Sequence, residues 1–227
     1  MYTMILLSGG VGARMHNTVP KQYMLLAGKP VIMHILERAD RIKDLKKVVM
    51  VCSEEYKPGI ELMVRQYNIR IPVVYAPAGE SRQASVYSGL SMVETDEVII
   101  HEAARPFVDV EDFNKLIDTP EENVMTGIPI PFTVIKGDAY VSGLLNRAEL
   151  VNVQLPQKFN TKLLLDVHKK AIAEGKQFTE DASQVYYYNP ELKIRIIEGK
   201  DYNVKITTPT DMVTGELIYK EYFAGRK

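Results

Sequence analysis

A single cysteine, Cys52, stands in the 227-residue chain, so no intrachain disulfide can form and a reducing compartment is the expectation. Excess charge is also lacking: 28 Lys and Arg against 29 Asp and Glu leave a net charge of −1. That balance argues against a general affinity for nucleic acid or an anionic membrane, and any phosphate-binding charge must be local. Long apolar runs are missing too. The stretch from Met4 to Leu7 is far too short for a signal peptide or membrane span, which makes a cytoplasmic protein without a membrane partner the expectation. Neither internal repeats nor low-complexity tracts occur. The four histidines (His16, His34, His101, His168) show no metal-ligand spacing, and no Ser/His/Asp or Cys/His constellation stands out. Cys52 ends an apolar run with no His or cation nearby and reads as a buried structural thiol. His101, closing another such run, reads as a hydrogen-bonded structural residue.

What is present is alternation. Apolar runs at 3–8, 47–52, 71–75, 97–101 and 123–129 are nearly continuous, as strands covered on both faces are. Helical stretches at 30–40, 54–67, 82–93 and 110–118 separate them. Pro30 suits a first helical turn, and Pro58 should delay or break the second helix. This order implies a doubly wound, mostly parallel α/β sheet with right-handed crossovers, and one domain over 1–227. Residues 131–159, punctuated by Pro131, Gly137, Gly143 and Pro156, read as a projecting β-arm able to pair across a two-fold axis. Helices near 161–174 and 181–188, strands near 192–198 and 203–206, and a helix from about 208 complete the pattern.

Directly after the first strand comes Ser8-Gly9-Gly10-Val11-Gly12-Ala13-Arg14-Met15. In a doubly wound sheet, ligands bind at the carboxyl ends of strands beside the topological switch point. Closely spaced glycines let the backbone approach an anion with its N–H groups turned inward. The Walker A ending is absent, and Met15 occupies the place where a dinucleotide fingerprint needs a small residue. Glycines alone fit a plain tight turn as well. Arg14 and Lys21 tip the balance, because a bidentate guanidinium and a point charge suit a triphosphate lying along the loop.

Five further segments complete a recognisable set: Pro20-Lys21-Gln22-Tyr23, Gly79-Glu80-Ser81-Arg82-Gln83-Ala84-Ser85-Val86, His101-Glu102-Ala103-Ala104-Arg105-Pro106, Thr179-Glu180-Asp181-Ala182-Ser183 and Asn203-Val204-Lys205-Ile206-Thr207. In this order and spacing, with Arg147 and Pro156-Gln157-x-Phe159 between them, the chain resembles the 2-C-methyl-D-erythritol 4-phosphate cytidylyltransferases and their polyol-phosphate relatives. The resemblance runs from Ser8 to Asp211. It implies a Rossmann-like nucleotidyltransferase fold, CTP and a phosphorylated polyol as substrates, a divalent cation (Mg²⁺, held mainly by the CTP phosphates) and a homodimer. Ser8, Gly9, Gly10, Val11 and Gly12 would cradle the triphosphate. Gly79, Glu80 and Ser85 would meet the cytosine, and Ala103 the ribose. Arg14, Lys21, Arg147 and Lys205 would supply the catalytic charge. Arg147 would come from the arm, of this chain or of a partner subunit. Glu102, Arg105, Thr133, Arg147 and Leu155 would face the acceptor. Arg82 and Arg105 could instead stand behind the direct ligands, and Thr179 or Asp181 reads as the cap of the next helix.

Such a reaction explains the missing nucleophile. The acceptor phosphate is itself the attacking group, and with a second pKa of about 6 it is largely a dianion at neutral pH. Three departures fall on the acceptor side: Glu102 where the family has Asp, Phe132 before Thr133, and Leu155 before Pro156-Gln157. They raise ribitol 5-phosphate or another polyol phosphate as an alternative acceptor. A dinucleotide-binding oxidoreductase is a remoter alternative, since no acidic residue ends the second strand at Cys52-Ser53. An idle relative kept for dimer contacts is the other.

Overall fold

The computed structural model describes residues 1–10 and 19–225. Its elements are β1 (Tyr2–Leu7), β2 (Leu25–Leu26), β3 (Lys29–Pro30), α1 (Val31–Ala39), β4 (Leu45–Cys52), α2 (Lys57–Gln66), β5 (Val73–Pro77), α3 (Arg82–Leu90), β6 (Glu97–Glu102) and α4 (Val110–Asp118). Then follow β7 (Val124–Pro129), β8 (Ile135–Gly137), β9 (Val141–Leu144), β10 (Val151–Asn160), α5 (Thr161–Ala173), α6 (Asp181–Tyr188), β11 (Arg195–Glu198) and α7 (Pro209–Tyr222). Pro58 sits in the first turn of α2, where its missing N–H costs nothing, so the helix starts late rather than breaking.

Seven strands form the main sheet in the order β11-β7-β10-β6-β1-β4-β5. β1 pairs in parallel with both β4 and β6, β5 joins β4 in parallel, and β11 joins β7 in parallel. The chain winds outward from β1 through β4 to β5, then returns to β6 on the other side of β1. That reversal places a topological switch point at β1 and β6. Side-chain alternation divides the core between the two faces. Met4, Leu6, Val48 and Met50 pack on the face carrying Ile32, Leu36 and Phe113 of α1 and α4. Ile5, Val49 and Val51 pack with Val86, Leu164 and Val185 of α3, α5 and α6.

Two expectations need correction. Residues 151–159 are not part of an arm: β10 lies inside the sheet, antiparallel to both β6 and β7. Pro156 disguises it, because a proline normally disqualifies an inner strand. Here the register shifts between Gln154 and Gln157, and the resulting bulge accommodates the missing donor. The projecting part is shorter and carries the small β8–β9 hairpin. Residues 203–206 form no strand. They are bound by single contacts, among them Ile206 N–H to Ala104 O at 2.8 Å and Asn203 Nδ2 to Leu155 O at 2.7 Å. No helix among the described residues is long and apolar enough to cross a membrane.

Candidate active site

The carboxyl ends of four parallel strands open onto one cavity of about 490 Å³. Leu7 to Gly10 follow β1, Ser53 follows β4, Ala78 to Ser81 follow β5, and Glu102 and Ala104 stand at the end of β6. Lys21, Gln22 and Lys205 close the cavity from outside the sheet. Backbone bonds carry the ladder past the strand ends: Ser8 N–H to Val51 O at 2.8 Å, Ala78 N–H to Cys52 O at 3.0 Å and Ala103 N–H to Leu7 O at 3.0 Å. At these three points the cavity rim is tied to the sheet's backbone.

Glycine is required at the rim for close approach. A Cβ on Gly9 would come within 2.4 Å of the Ala78 Cβ, and one on Gly79 within 2.5 Å of the Ala84 Cβ. Gly79 N–H donates to Ser85 Oγ at 3.1 Å, and Ser81 caps α3 by accepting from Ala84 N–H at 3.0 Å. Arg82, the first residue of α3, is thereby delivered to the cavity wall.

An alternating chain of charges lies beneath. Asp181 Oδ2 is 2.7 Å from Arg82 Nη2, Arg82 Nε donates to Glu102 Oε1 at 3.2 Å, and Glu102 Oε2 is 2.7 Å from Lys205 Nζ. Arg105 Nε stands 3.8 Å from the same Glu102 oxygen and fixes the 203–207 segment by donating from Nη1 to Asn203 O at 3.0 Å. His168 Nε2 lies 3.3 Å from Asp181 Oδ1. Burial would raise the Glu102 carboxyl, but the charges of Lys205 and Arg82 outweigh it and hold the pKa at about 2. Burial would also raise Asp181, and Arg82 together with the His168 contact brings it down to about 2. For Arg82 burial opposes the charge, yet the two carboxylates push its pKa above the usual value. Both carboxylates thus stay ionised under three cations, an arrangement suited to meeting further negative charge.

The expected site residues divide cleanly. Ser8, Gly9, Gly10, Lys21, Gly79, Glu80, Ser85, Glu102 and Lys205 share the cavity. Val11, Gly12 and Arg14 lie outside the described residues. Ala103 is fully buried in the core, and its neighbour Ala104 lines the cavity instead. Leu155 is buried in β10 and does not reach the cavity. Thr133 and Arg147 are exposed on the projecting segment; Arg147 donates to Pro131 O at 3.3 Å and borders a separate hollow with Asn146 and Ile196. Within one chain, then, Arg147 does not join Lys21 and Lys205. The cap of α6 is Glu180, which accepts from Ala182 and Ser183 N–H at 2.7 Å each, whereas Asp181 turns inward. Sequence reading missed Ser53, Gln22 as a cavity residue and the Asp181–His168 contact. Only Gln22 offered a signal, its place beside Lys21. Cys52 and His101 are buried as expected: burial lifts the thiol to about 11 and lowers the imidazole to about 3, so neither is a nucleophile or base at neutral pH.

A family model described as 2-C-methyl-D-erythritol 4-phosphate cytidylyltransferase matches residues 2–221. The chain belongs to that family. It is a CTP-dependent nucleotidyltransferase on that membership. The Bacillus cytotoxicus 2-C-methyl-D-erythritol 4-phosphate cytidylyltransferase is 34% identical over 221 residues, covering 95% of this chain and 96% of its own. The chloroplastic enzyme of Oryza sativa subsp. japonica is 35% identical over 225 residues, covering 96% of this chain and 74% of its own. Among solved structures, 4-diphosphocytidyl-2C-methyl-D-erythritol synthase from Anaerococcus prevotii superposes with a TM-score of 0.86 at 25% identity, covering 96% of each chain. The Thermus thermophilus cytidylyltransferase, at 24% identity and a TM-score of 0.77, covers 97% of this chain and 100% of its own and supports the Rossmann-like fold.

Proposed function

We propose that this enzyme transfers CMP from CTP to 2-C-methyl-D-erythritol 4-phosphate, releasing pyrophosphate in a route to isoprenoid precursors. The observation that carries the chemistry is the meeting of the glycine segment, Lys21, Arg82 and Lys205 in one cavity at the switch point. An oxygen of the acceptor phosphate forms a bond to the α-phosphorus of CTP as the bond to the β-phosphate oxygen breaks, and the electron pair leaves with pyrophosphate. No side chain needs to take a proton from a dianion. The obstacle is repulsion, since each pair of unit charges 4 Å apart costs about 4 kcal/mol at an effective dielectric near 20. Fixed cations lower that cost without reorganising. Ser8, Gly9 and Gly10 offer backbone to the triphosphate, and Gly79, Glu80 and Ser85 offer polar groups to the cytosine; Val11, Gly12 and Arg14 keep the phosphate roles that the family resemblance implies.

Among the described residues no three His, Cys, Asp or Glu side chains gather as a metal site, and the Glu102 oxygens are already taken by cations. A divalent cation, Mg²⁺ in this reading, would have its ligands mainly in the triphosphate, where it would neutralise charge. The default acceptor is preferred over ribitol 5-phosphate because the relatives at 34% and 35% identity are named for methylerythritol phosphate, and because Leu155, one of the three departures, is buried away from the cavity. Phe132, Tyr140 and Leu144, 75%, 87% and 88% exposed, leave the projecting segment without a core of its own. A second copy of the chain is the natural cover, and its Arg147 would then complete the acceptor side. Two small phosphorylated substrates suit a cytoplasmic setting. Pyrophosphate release with CTP should be fastest on methylerythritol phosphate and slight with ATP, GTP or UTP. Preference for ribitol 5-phosphate, or for a purine nucleotide, would overturn the assignment.

A further inference from the structure

Gln22 is 3% exposed and sits on the short 3₁₀ turn Lys21–Tyr23. Its Nε2 donates to Ser8 O at 2.6 Å and to Gly10 O at 3.0 Å. One carboxamide thus commits its two hydrogens to two carbonyls of the glycine segment. The opposite side of the segment is walled by Ala78, which leaves no room for a Cβ on Gly9. Tyr23 adds a third restraint: its hydroxyl lies 3.3 Å from Ser8 Oγ, and its ring stacks on Tyr56 with centroids 4.8 Å apart. A trans peptide is planar, so the Gly9 N–H must point opposite to the Ser8 carbonyl. Holding that carbonyl aims that donor. An apolar side chain of similar length would fill the space but withdraw the donors that the Ser8 and Gly10 carbonyls accept from, so the amide is there for the segment's backbone rather than for packing.

We infer that Gln22 is a positioning residue for the triphosphate: it locks the backbone of the glycine segment to the turn carrying Lys21, so that loop donors and cation meet one ligand in fixed register. The inference rests on the cytidylyltransferase reading and deepens it. Gln22→Met keeps length and burial but removes both donors, and Gln22→Glu keeps the shape but sets a carboxylate against two carbonyls. Each variant is compared with wild type by thermal melting, calorimetric titration with CTP, and steady-state kinetics on both substrates. Gln22→Met should melt within a few degrees of wild type, bind CTP about tenfold or more weakly, and turn over more slowly, with the acceptor KM unchanged. Gln22→Glu should be worse. Wild-type CTP affinity and kcat in folded Gln22→Met would overturn the inference, and so would a lowered melting temperature with CTP affinity intact. If Gln22→Met does not fold, Gln22→Asn, which withdraws the amide by one methylene, carries the test, with weakened CTP binding expected and unchanged binding fatal. Wild-type protein that binds no CTP would instead sink the cytidylyltransferase reading itself.

Discussion

Glu102 holds Arg82 and Lys205 directly, with Arg105 close by, and so regulates how much positive charge the cavity presents. Lys21 belongs to the short turn Lys21–Tyr23 and lines the cavity beside Gln22. Lys21→Ala should lower kcat by about a hundredfold or more, the scale of losing one preorganised stabiliser, in protein that still melts cooperatively. Steady-state kinetics beside a thermal melt checks this; turnover near wild type would exclude Lys21 from the chemistry. Lys21 and Lys205 were legible in the sequence because each lies in a distinctive local motif. The weight of Arg82 was not. Its two carboxylate partners come from β6 and α6, and only the fold brings those elements together.

At the scale of elements, adjacent acids at the start of α6 have opposite duties. Glu180 faces outward and caps the helix, while Asp181 is buried and neutralises Arg82. Glu180→Ala should cost about 1 kcal/mol of stability, an ordinary cap loss, and leave kcat untouched. Asp181→Asn removes the charge of a fully buried carboxylate that pairs with the partly buried Arg82 guanidinium and should cost about 2 kcal/mol or more. Urea unfolding of both variants separates the two roles, and equal losses would contradict the assignment. Sequence reading placed a cap here but on the wrong residue. The pattern Thr179-Glu180-Asp181 supplies several acceptors within one turn, and which one points inward depends on where Arg82 sits. β10 was hidden for a related reason. Its proline is admissible only at a bulge, and a bulge is a property of the paired strands rather than of one of them.

For the whole molecule, acid should act in two stages. Burial lowers the pKa of His34 to about 4 and of His101 to about 3, so both are neutral in the folded state. Below pH of about 6.5 the unfolded chain binds protons that the folded chain refuses, and stability falls with falling pH. Glu102 and Asp181, held at about 2 by their cations, add a second loss as pH drops below the ordinary carboxylate range. Melting curves from pH 8 to pH 3 should show this biphasic decline. His34→Gln, able to keep a donor toward Leu26 O, should make the first stage shallower and leave the share of His101; an unchanged slope would mean that His34 does not contribute. The projecting hairpin makes a separate demand. On the dimer proposed above, Leu144→Asp should yield a monomer by light scattering, where the wild type is a dimer, and raise the acceptor KM more than the CTP KM, since Arg147 would no longer reach a neighbouring site. A variant that stays dimeric would remove the arm from the interface.

Sequence order and local chemistry were enough for the winding of β1, β4, β5 and β6, the glycine turn at the sheet's carboxyl edge, and the family. These depend on apolar periodicity and on contiguous motifs, which a linear chain carries intact. The fold alone decided that Gln22 grips Ser8 and Gly10, that Ala104 rather than Ala103 meets the cavity, that Asp181 balances Arg82, and that Arg147 stands apart from Lys21 within one chain. Each is a contact between distant segments or a choice of side-chain direction. Such choices are set by how strands and helices pack together, a constraint that residue order expresses only after the chain has closed on itself.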